Sequence, residues 1–553
     1  MANGEFKYDP ANFDYTPAMK RAYEENGYFF VRGLLPKEEL EKVKLALEGT
    51  DAFTKHAYGI PDGEGSASRL VLYSHPGNDV TGMLNRCEKV AGMSEKILGG
   101  EAYHYHTKIM MKDAFTGGKH IWHQDYGYWY HNGCLFPDML TVYIAIDACT
   151  RDNGCLQVLR GSHKCGRVEH MLIAGQQGAN IKRVDEIAKV CPLVHAELQP
   201  GDAIYIHCNL LHMAPQNKGP DRRWTFLSCF NKATNDPVYK HHCPGYTAMH
   251  KVPDTAIMEC QNYTDMTGKE FMKPSEDKTV RLSATNNQRQ LHTDKWAVKE
   301  KPAYPTLSLK DSIKTIETWP AANRMADVEF KYDPTNFDYT PAMRRSFEEN
   351  GFFYVRGLLP TDEIQKLQKA VTLNDFYKHS YGANDGDGKV SRLALFSYPG
   401  SDVTGTIARA EKVAGMAEKI LGGEVYHYHS KIIMKDAFTG GQHIWHQDYG
   451  YWYNYGNLYP DLVTVYIAID ECKKDNGCLQ VLRGSHKCGR IEHRRAAKQI
   501  DGVHYSGQHG ADVERVQEIA KVCPLDYVEL KPGPGHSHHG VHQLHGHDGE
   551  ALL

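Results

Sequence analysis

EFKYDPANFDYTPA at residues 5–18 returns as EFKYDPTNFDYTPA at 329–342, an offset of 324. HIWHQDYGYWY stands at 120–130 and again at 443–453. DNGCLQVLRGSHKCGR stands at 152–167 and again at 475–490, and EIAKVCPL at 186–193 and 518–525. Solenoid repeats have periods of about 20–50 residues, so this spacing points instead to tandem duplication of a whole domain. At roughly 100–200 residues per domain, a 553-residue chain holds two large domains comfortably.

The copies are unequal. The second follows the first as far as Gly533, VELKPG against AELQPG. The first then continues DAIYIHCNLLHMAPQNKGPDRRWTFLSCF, whereas the second reads PGHSHHGVHQLHGHDGEALL. The expected organisation is a complete domain over 1–258, a domain tail and linker over 259–324, and a truncated second domain over 325–553. The stretch from about 281 is polar and weakly periodic, as a linker is.

Lys plus Arg is 64 and Asp plus Glu is 68, a formal charge of −4. That balance gives no general cationic field for a polynucleotide, so no nucleic-acid partner is expected. No run approaches 18 consecutive apolar residues, and the N-terminal residues lack a basic segment followed by an apolar one. Neither a membrane span nor a secretion signal is expected. The 14 cysteines include no C-x-x-C pair and read as reduced thiols. The last residues form no peroxisomal tripeptide, which leaves the cytoplasm as the default compartment.

KEELEKVKLALEG (37–49), opened by Pro36, and EKVAGMSEKILGG (88–100), closed by two glycines, have the spacing of helices. HYHTKIMM, LTVYIAIDA, CLQVL, HAEL, DAIYIH and WTFLSCF then read as short strands between turns, with VDEIAKV as an intervening helix. Helices followed by many short strands predict a mainly β fold with flanking helices, of the α+β kind, built on a sandwich or barrel.

Three residues on the predicted strands carry metal-binding chemistry. In an extended strand His123 and Asp125 share a face while Gln124 points elsewhere. His212 lies 89 residues on, also on a predicted strand, and a closed sheet could bring it to the same point. Two imidazoles and one carboxylate are the ligand set of non-haem Fe(II) oxygenases, and zinc accepts them too. Arg223, two rows along the sheet from His212, could grip a carboxylate in bidentate fashion; a surface arginine beside Arg222 is the plain alternative.

KDAFTGGKHIWHQD (112–125), DNGCLQVLRGSHK (152–164), the Pro200–Gly201–Asp202 turn and the His212 to Arg223 spacing together resemble the phytanoyl-CoA dioxygenase family. The similarity covers about residues 15–235 and repeats to about 533. The resemblance implies a double-stranded β-helix, the cupin-like jelly roll. It implies Fe(II) at His123, Asp125 and His212, and 2-oxoglutarate held by Arg223, with Gln124, Tyr143 and Lys108 lining the co-substrate pocket. It implies hydroxylation of a small-molecule substrate, organic or acyl, with O2 consumed and succinate and CO2 released. The family often has Ser where this chain has Ala214; Asn217 keeps its usual place. The residues select neither one substrate nor an oligomeric state.

Tyr126, Tyr128, Trp129 and Tyr130 suit a substrate wall or a packed core equally. Arg160 and His163 read as loop-ordering residues, and Lys112 as a solvated lysine that could otherwise meet an anion. In the second copy, His446 and Asp448 repeat the proximal pair. The position matching His212 is Leu544, with His545 one residue off, and the counterpart of Arg223 falls beyond Leu553. The second copy is therefore expected to be inactive. The histidine-rich stretch His536–His547 is given no functional weight. Two other readings stand beside the oxygenase: a non-catalytic tandem binding or scaffold protein, and a zinc-dependent enzyme on the same barrel.

Overall fold

The computed structural model describes residues 4–173, 175–239, 243–272, 326–373, 376–385, 389–438, 440–500 and 503–532. The expected linker from 281, Leu544, His545 and the His536–His547 stretch lie outside them. The chain divides into two compact units, Met1–Pro302 and Ala303–Leu553.

In the first unit the strands are β1 (Glu5–Lys7), β2 (Tyr28–Arg32), β3 (Tyr58–Pro61), β4 (Ala67–Ser74), β5 (Ala102–Lys112), β6 (His120–His123), β7 (Met139–Ala145), β8 (Leu156–Leu159), β9 (His170–Ile173), β10 (Gln176–Ala179), β11 (Leu193–Ala196), β12 (Ala203–His207), β13 (His212–Ala214), β14 (Arg223–Lys232) and β15 (Glu270–Phe271). The helices are α1 (Pro17–Asn26), α2 (Lys37–Glu48), α3 (Val80–Arg86), α4 (Met93–Leu98), α5 (Asp125–Trp129), α6 (Ile181–Ala188) and α7 (Ala256–Glu259). Local chemistry sets the helix ends. Thr16 accepts from the Met19 amide to open α1, Pro17 follows it, and Gly27 closes the helix at φ +84°. A side chain at Gly27 would also strike the ring of His163.

The larger sheet runs β1-β2-β12-β7-β14-β5-β4, and β3 and β15 share the outer edge of β4. The smaller sheet runs β11-β8-β13-β6, and β9 and β10 form a separate hairpin. Strand alternation sorts the larger sheet into two faces. Phe29, Val31, Leu140, Val142, Ile144, Ala203, Tyr205, Trp224 and Phe226 pack with Leu40, Val43 and Leu47 of α2 and with Leu84 of α3. Tyr28, Phe30, Tyr143, Ala145, Ile204 and Ile206 pack with Leu156, Val158 and Ala196 of the smaller sheet. Two sheets thus face each other over a shared core, with helices on the outer face, the sandwich of a jelly roll.

The first unit's packing continues past residue 258. Asp254 accepts from the Lys89 amide and the Tyr8 hydroxyl. The Lys269 ammonium lies fully buried, 2.6 Å from the Asp79 carboxylate that caps α3. Removing one partner of a buried ion pair strands the other charge. Lys269→Ala is expected to destabilise the chain by about 3–5 kcal/mol, measured as a lower urea midpoint; an unchanged midpoint would remove residues 259–272 from the folding unit.

Among its described residues the second unit forms four small sheets. The Glu329–Lys331 strand pairs with Tyr354–Arg356. Strands Tyr381–Asn384, Val390–Phe396 and Ser430–Met434 form a three-stranded sheet. Leu479–Leu482 pairs with Leu525–Val528, and His493–Ile500 with Val503–Ala511. Residues 462–468, LVTVYIA, match β7 in sequence, yet form only a single bridge position at Thr464.

Candidate metal and co-substrate site

His123, Asp125 and His212 meet at one point. All three are buried, and one ligand atom from each lies within 4.8 Å of the others. His212 opens β13 and lies opposite His123, the last residue of β6, in an antiparallel pair. Their ring centroids are 4.1 Å apart, and each Nε2 lies 3.9 Å from Asp125 Oδ1. The sequence reading placed His123 and Asp125 on one strand. The strand instead ends at His123, Gln124 stays extended, and Asp125 is the first residue of α5. The turn into the helix brings the carboxylate round beside the imidazoles.

Backbone contacts fix the ligand orientation. Each histidine directs Nδ1 at the carbonyl two residues earlier, Ile121 at 2.7 Å and Leu210 at 2.9 Å. With Nδ1–H donating there, the Nε2 lone pair faces the cluster. Thr141 of β7 donates to Asp125 Oδ2 at 2.6 Å and leaves Oδ1 toward the histidines. Burial, then the neighbouring His212 and His120, hold His123 well below the ordinary histidine pKa, so it is neutral at neutral pH.

Arg223 opens β14 on the facing sheet, not on the sheet of His212 as the spacing suggested. It is 1% exposed. Its Nη1 donates to the Tyr143 hydroxyl at 2.9 Å, and its Nε is buried without a partner. Lys112, read as solvated, is in fact fully buried beside Arg223 in register, and donates to the carbonyls of Ala214 and Pro215. Among the described residues no carboxylate pairs with either cation. Burial, then the neighbouring Arg223, hold the Lys112 pKa well below the ordinary lysine value. The buried guanidinium, with its orphaned N–H, suits a bound carboxylate. On the faces defined by alternation, Lys108, Lys112, Thr141, Tyr143 and Arg223 all point toward the smaller sheet.

Gln124 does not line this pocket. Its amide donates to Gly166 at 2.8 Å and Asn209 at 2.6 Å, and its carbonyl accepts from the Val168 amide at 2.7 Å. The side chain is spent on tying two loops together. Below it, His170 accepts from the Gln124 amide and packs against Gly127, where a Cβ would come within 2.2 Å of the imidazole. Of the aromatic run, Tyr126, Trp129 and Tyr130 are core residues. Tyr128 alone adjoins the ligands, its ring 5.5 Å from that of His123. The ammonium of half-buried Lys108 stands 5.9 Å over the Tyr128 ring. His163 reaches the Glu24 carbonyl at 3.1 Å, a tie between its loop and the end of α1. Asn217 donates to the Asp221 carbonyl and shapes the turn into β14.

Sequence reasoning passed over Thr141 and His170. The signal for Thr141 was its i, i+2 spacing from Tyr143; nothing in the pattern marked His170.

The sequence pattern of phytanoyl-CoA dioxygenase (PhyH) matches residues 23–225 and again 347–521, together more than half of the chain. The chain belongs to the phytanoyl-CoA dioxygenase family. This family member is a 2-oxoglutarate-dependent dioxygenase that works with Fe(II), 2-oxoglutarate and O2. It is similar to L-proline trans-4-hydroxylase of Streptomyces griseoviridis, 27% identical over 250 residues that cover 42% of this chain and 93% of that protein. Ectoine dioxygenase of Streptomyces avermitilis is 26% identical over 246 residues, 41% of this chain and 83% of that protein. Among solved structures, EctD from S. alaskensis with 2-oxoglutarate and 5-hydroxyectoine aligns at a TM-score of 0.36 and 19% identity, covering 43% of this chain and 88% of that one. The carbocyclase SnoK from nogalamycin biosynthesis aligns at 0.35 and 20% identity, covering 45% and 96%. Among the described residues no helix is long and apolar enough to cross a membrane.

Two outcomes follow for the PhyH-family site. Thr141→Val keeps the side-chain shape but frees the Asp125 carboxylate; Fe(II) affinity, by anaerobic titration, should fall about 10–100-fold. Burial also depresses His170 and His207 to about 3 and His163 to about 4. The unfolded chain takes up protons on these rings below about pH 6.5, whereas the folded chain resists until near pH 3–4. Stability is therefore full above pH 6.5 and declines as the pH falls toward 4. Thermal midpoints between pH 8 and 4.5 should show that decline, and a flat profile from 7 to 5 would contradict it.

Proposed function

We propose that the first unit hydroxylates a small organic or acyl substrate, with His123, Asp125 and His212 holding Fe(II) and Arg223 holding the distal carboxylate of 2-oxoglutarate. The observation that carries this reading is the pairing of a buried two-histidine, one-carboxylate cluster with a buried, half-satisfied arginine on the facing sheet. When bound, Fe(II) supplies the redox centre at which O2 and 2-oxoglutarate are consumed, giving succinate, CO2 and one oxygen atom for the substrate.

The chain's own residues orient and exclude. Thr141 sets the carboxylate ligand, the Ile121 and Leu210 carbonyls set the imidazoles, and Tyr143 sets the Arg223 guanidinium. Lys112, beside Arg223 in register, donates to the Ala214 carbonyl and braces the β13 exit. Lys108 and Tyr128 adjoin the histidines and are the candidate substrate-facing pair. The relatives, a proline hydroxylase and an ectoine dioxygenase, point to small, amino-acid-derived ring substrates, so L-proline and ectoine head the panel to test, followed by acyl-CoA thioesters.

We read the second unit as a tandem copy without turnover. It keeps the proximal pair, and Thr464 donates to Asp448 as Thr141 does to Asp125. Among its described residues no third ligand joins His446 and Asp448, and the Lys431 ammonium lies 3.5 Å from the Asp448 carboxylate. Iron-reconstituted full-length protein should release succinate with some member of the panel. His123→Ala should lower that release more than 100-fold, a loss of about 2.7 kcal/mol or more in transition-state stabilisation, while His446→Ala should match the unmodified chain. The opposite pattern would move the activity to the second unit.

A further inference from the structure

His120 stands three residues before His123 on β6. In a regular strand residues three apart face opposite sides. Here the β6–β13 register slips: His123 lies opposite His212 and His120 opposite Ala214, so Ile121 and Trp122 together face Met213. Such an extra residue re-aims the side chain that follows it. The His120 and His123 rings accordingly lie on one side, centroids 4.4 Å apart at 63°.

His120 is not one of the three clustered ligands. Its Nδ1 is buried without a hydrogen-bond partner, a costly state for a polar atom. The charges that act on it are those of Lys108, His212, Lys112 and Arg223, every one positive or potentially so. In either tautomer the imidazole keeps an N–H to donate. An unpartnered imidazole nitrogen beside the three-residue cluster, on the side of the buried Arg223, is suited to an anion that reaches from that cluster toward the arginine.

We propose that His120 binds the co-substrate, an N–H of its imidazole donating to a carboxylate oxygen of 2-oxoglutarate between the three-ligand site and Arg223. This rests on the reading of the first unit as the 2-oxoglutarate site. Ala214, directly across the strand pair, offers no polar atom of its own side chain to that space, so the donation falls to His120.

The test uses the full-length chain, loaded with Fe(II) under anaerobic conditions, with 2-oxoglutarate binding followed by calorimetry and by its visible charge-transfer band. Iron retention is measured in parallel. His120→Ala should raise the dissociation constant for 2-oxoglutarate about tenfold or more, the range of a hydrogen bond to a charged group, with iron retention unchanged. In turnover, KM for 2-oxoglutarate should rise more than kcat falls. A hydroxyl placed opposite, in His120→Ala/Ala214→Ser, should recover a measurable part of the lost affinity. A dissociation constant within twofold of the unmodified chain, or a parallel loss of iron, would overturn the assignment. If the unmodified chain binds and Arg223→Ala does not while His120→Ala does, only the His120 assignment falls. If the unmodified chain itself binds no 2-oxoglutarate, the underlying reading falls as well.

Discussion

The antiparallel pairing of His212 with His123 is the contact on which the site depends. The two residues are far apart in the chain and meet only because β13 is laid between β8 and β6 in the smaller sheet. Once they are opposite each other, their imidazoles are within ligand spacing and only a carboxylate is needed to complete the set. Asp125 supplies it because the strand ends at His123 and, after Gln124, the chain turns into a helix. A one-residue slip in that pairing would turn His212 to the other face. The register is held from both sides, since Val158 of β8 also lies opposite His212.

β7 connects this cluster to the arginine. Thr141 and Tyr143 are two residues apart on the face toward the smaller sheet, so they stand roughly 6.6 Å apart along the strand. One holds the Asp125 carboxylate and the other holds the guanidinium of Arg223. A single strand, hydrogen-bonded on both edges to β12 and β14, thereby sets the separation between the His–Asp–His cluster and the buried Arg223 guanidinium. Such positioning by a central strand keeps the cost of ordering the site within the cost of folding the sheet.

Much of this was legible in the sequence, for identifiable reasons. Alternation along MLTVYIA, AIYIH and RWTFLSCF follows the two faces of a central sheet, so strand identity and inward residues could be read directly. The grouping of His123, Asp125 and His212 followed from residue type, strand spacing and the family resemblance, and the three do cluster. What stayed hidden depended on tertiary placement. The register slip that turns His120 inward has no local signature. The burial of Lys112 reflects carbonyls at Ala214 and Pro215, a hundred residues away. Gln124 sits beside two ligands, yet Gly166, Val168 and Asn209 take up its amide, and none of these is near it in sequence. Arg223 was expected on the sheet of His212; it approaches from the opposite one because the chain crosses the sandwich between them.

The second unit shows how far strand formation depends on neighbours. VYHYHSKIIMK at 425–435 nearly repeats β5, AYHYHTKIMMK at 102–112. In the first unit β4 pairs only with Thr107–Met111 of β5, whereas β14 pairs along its whole length. In the second unit the part that matches the β4-paired half, Ser430–Met434, is a strand, and residues 425–429 are not. The part lost is the part that only β14 supports. Residues 462–468 behave likewise: their match β7 is flanked by β12 and β14, and among the described residues of the second unit neither flank has a counterpart. Nearly identical sequence therefore yields a strand or an irregular segment according to whether its backbone N–H and C=O groups find a partner, as expected where propensity is weak and pairing supplies the stabilisation. Because β14 also carries Arg223, its pairings support both the sheet and the position of that buried guanidinium.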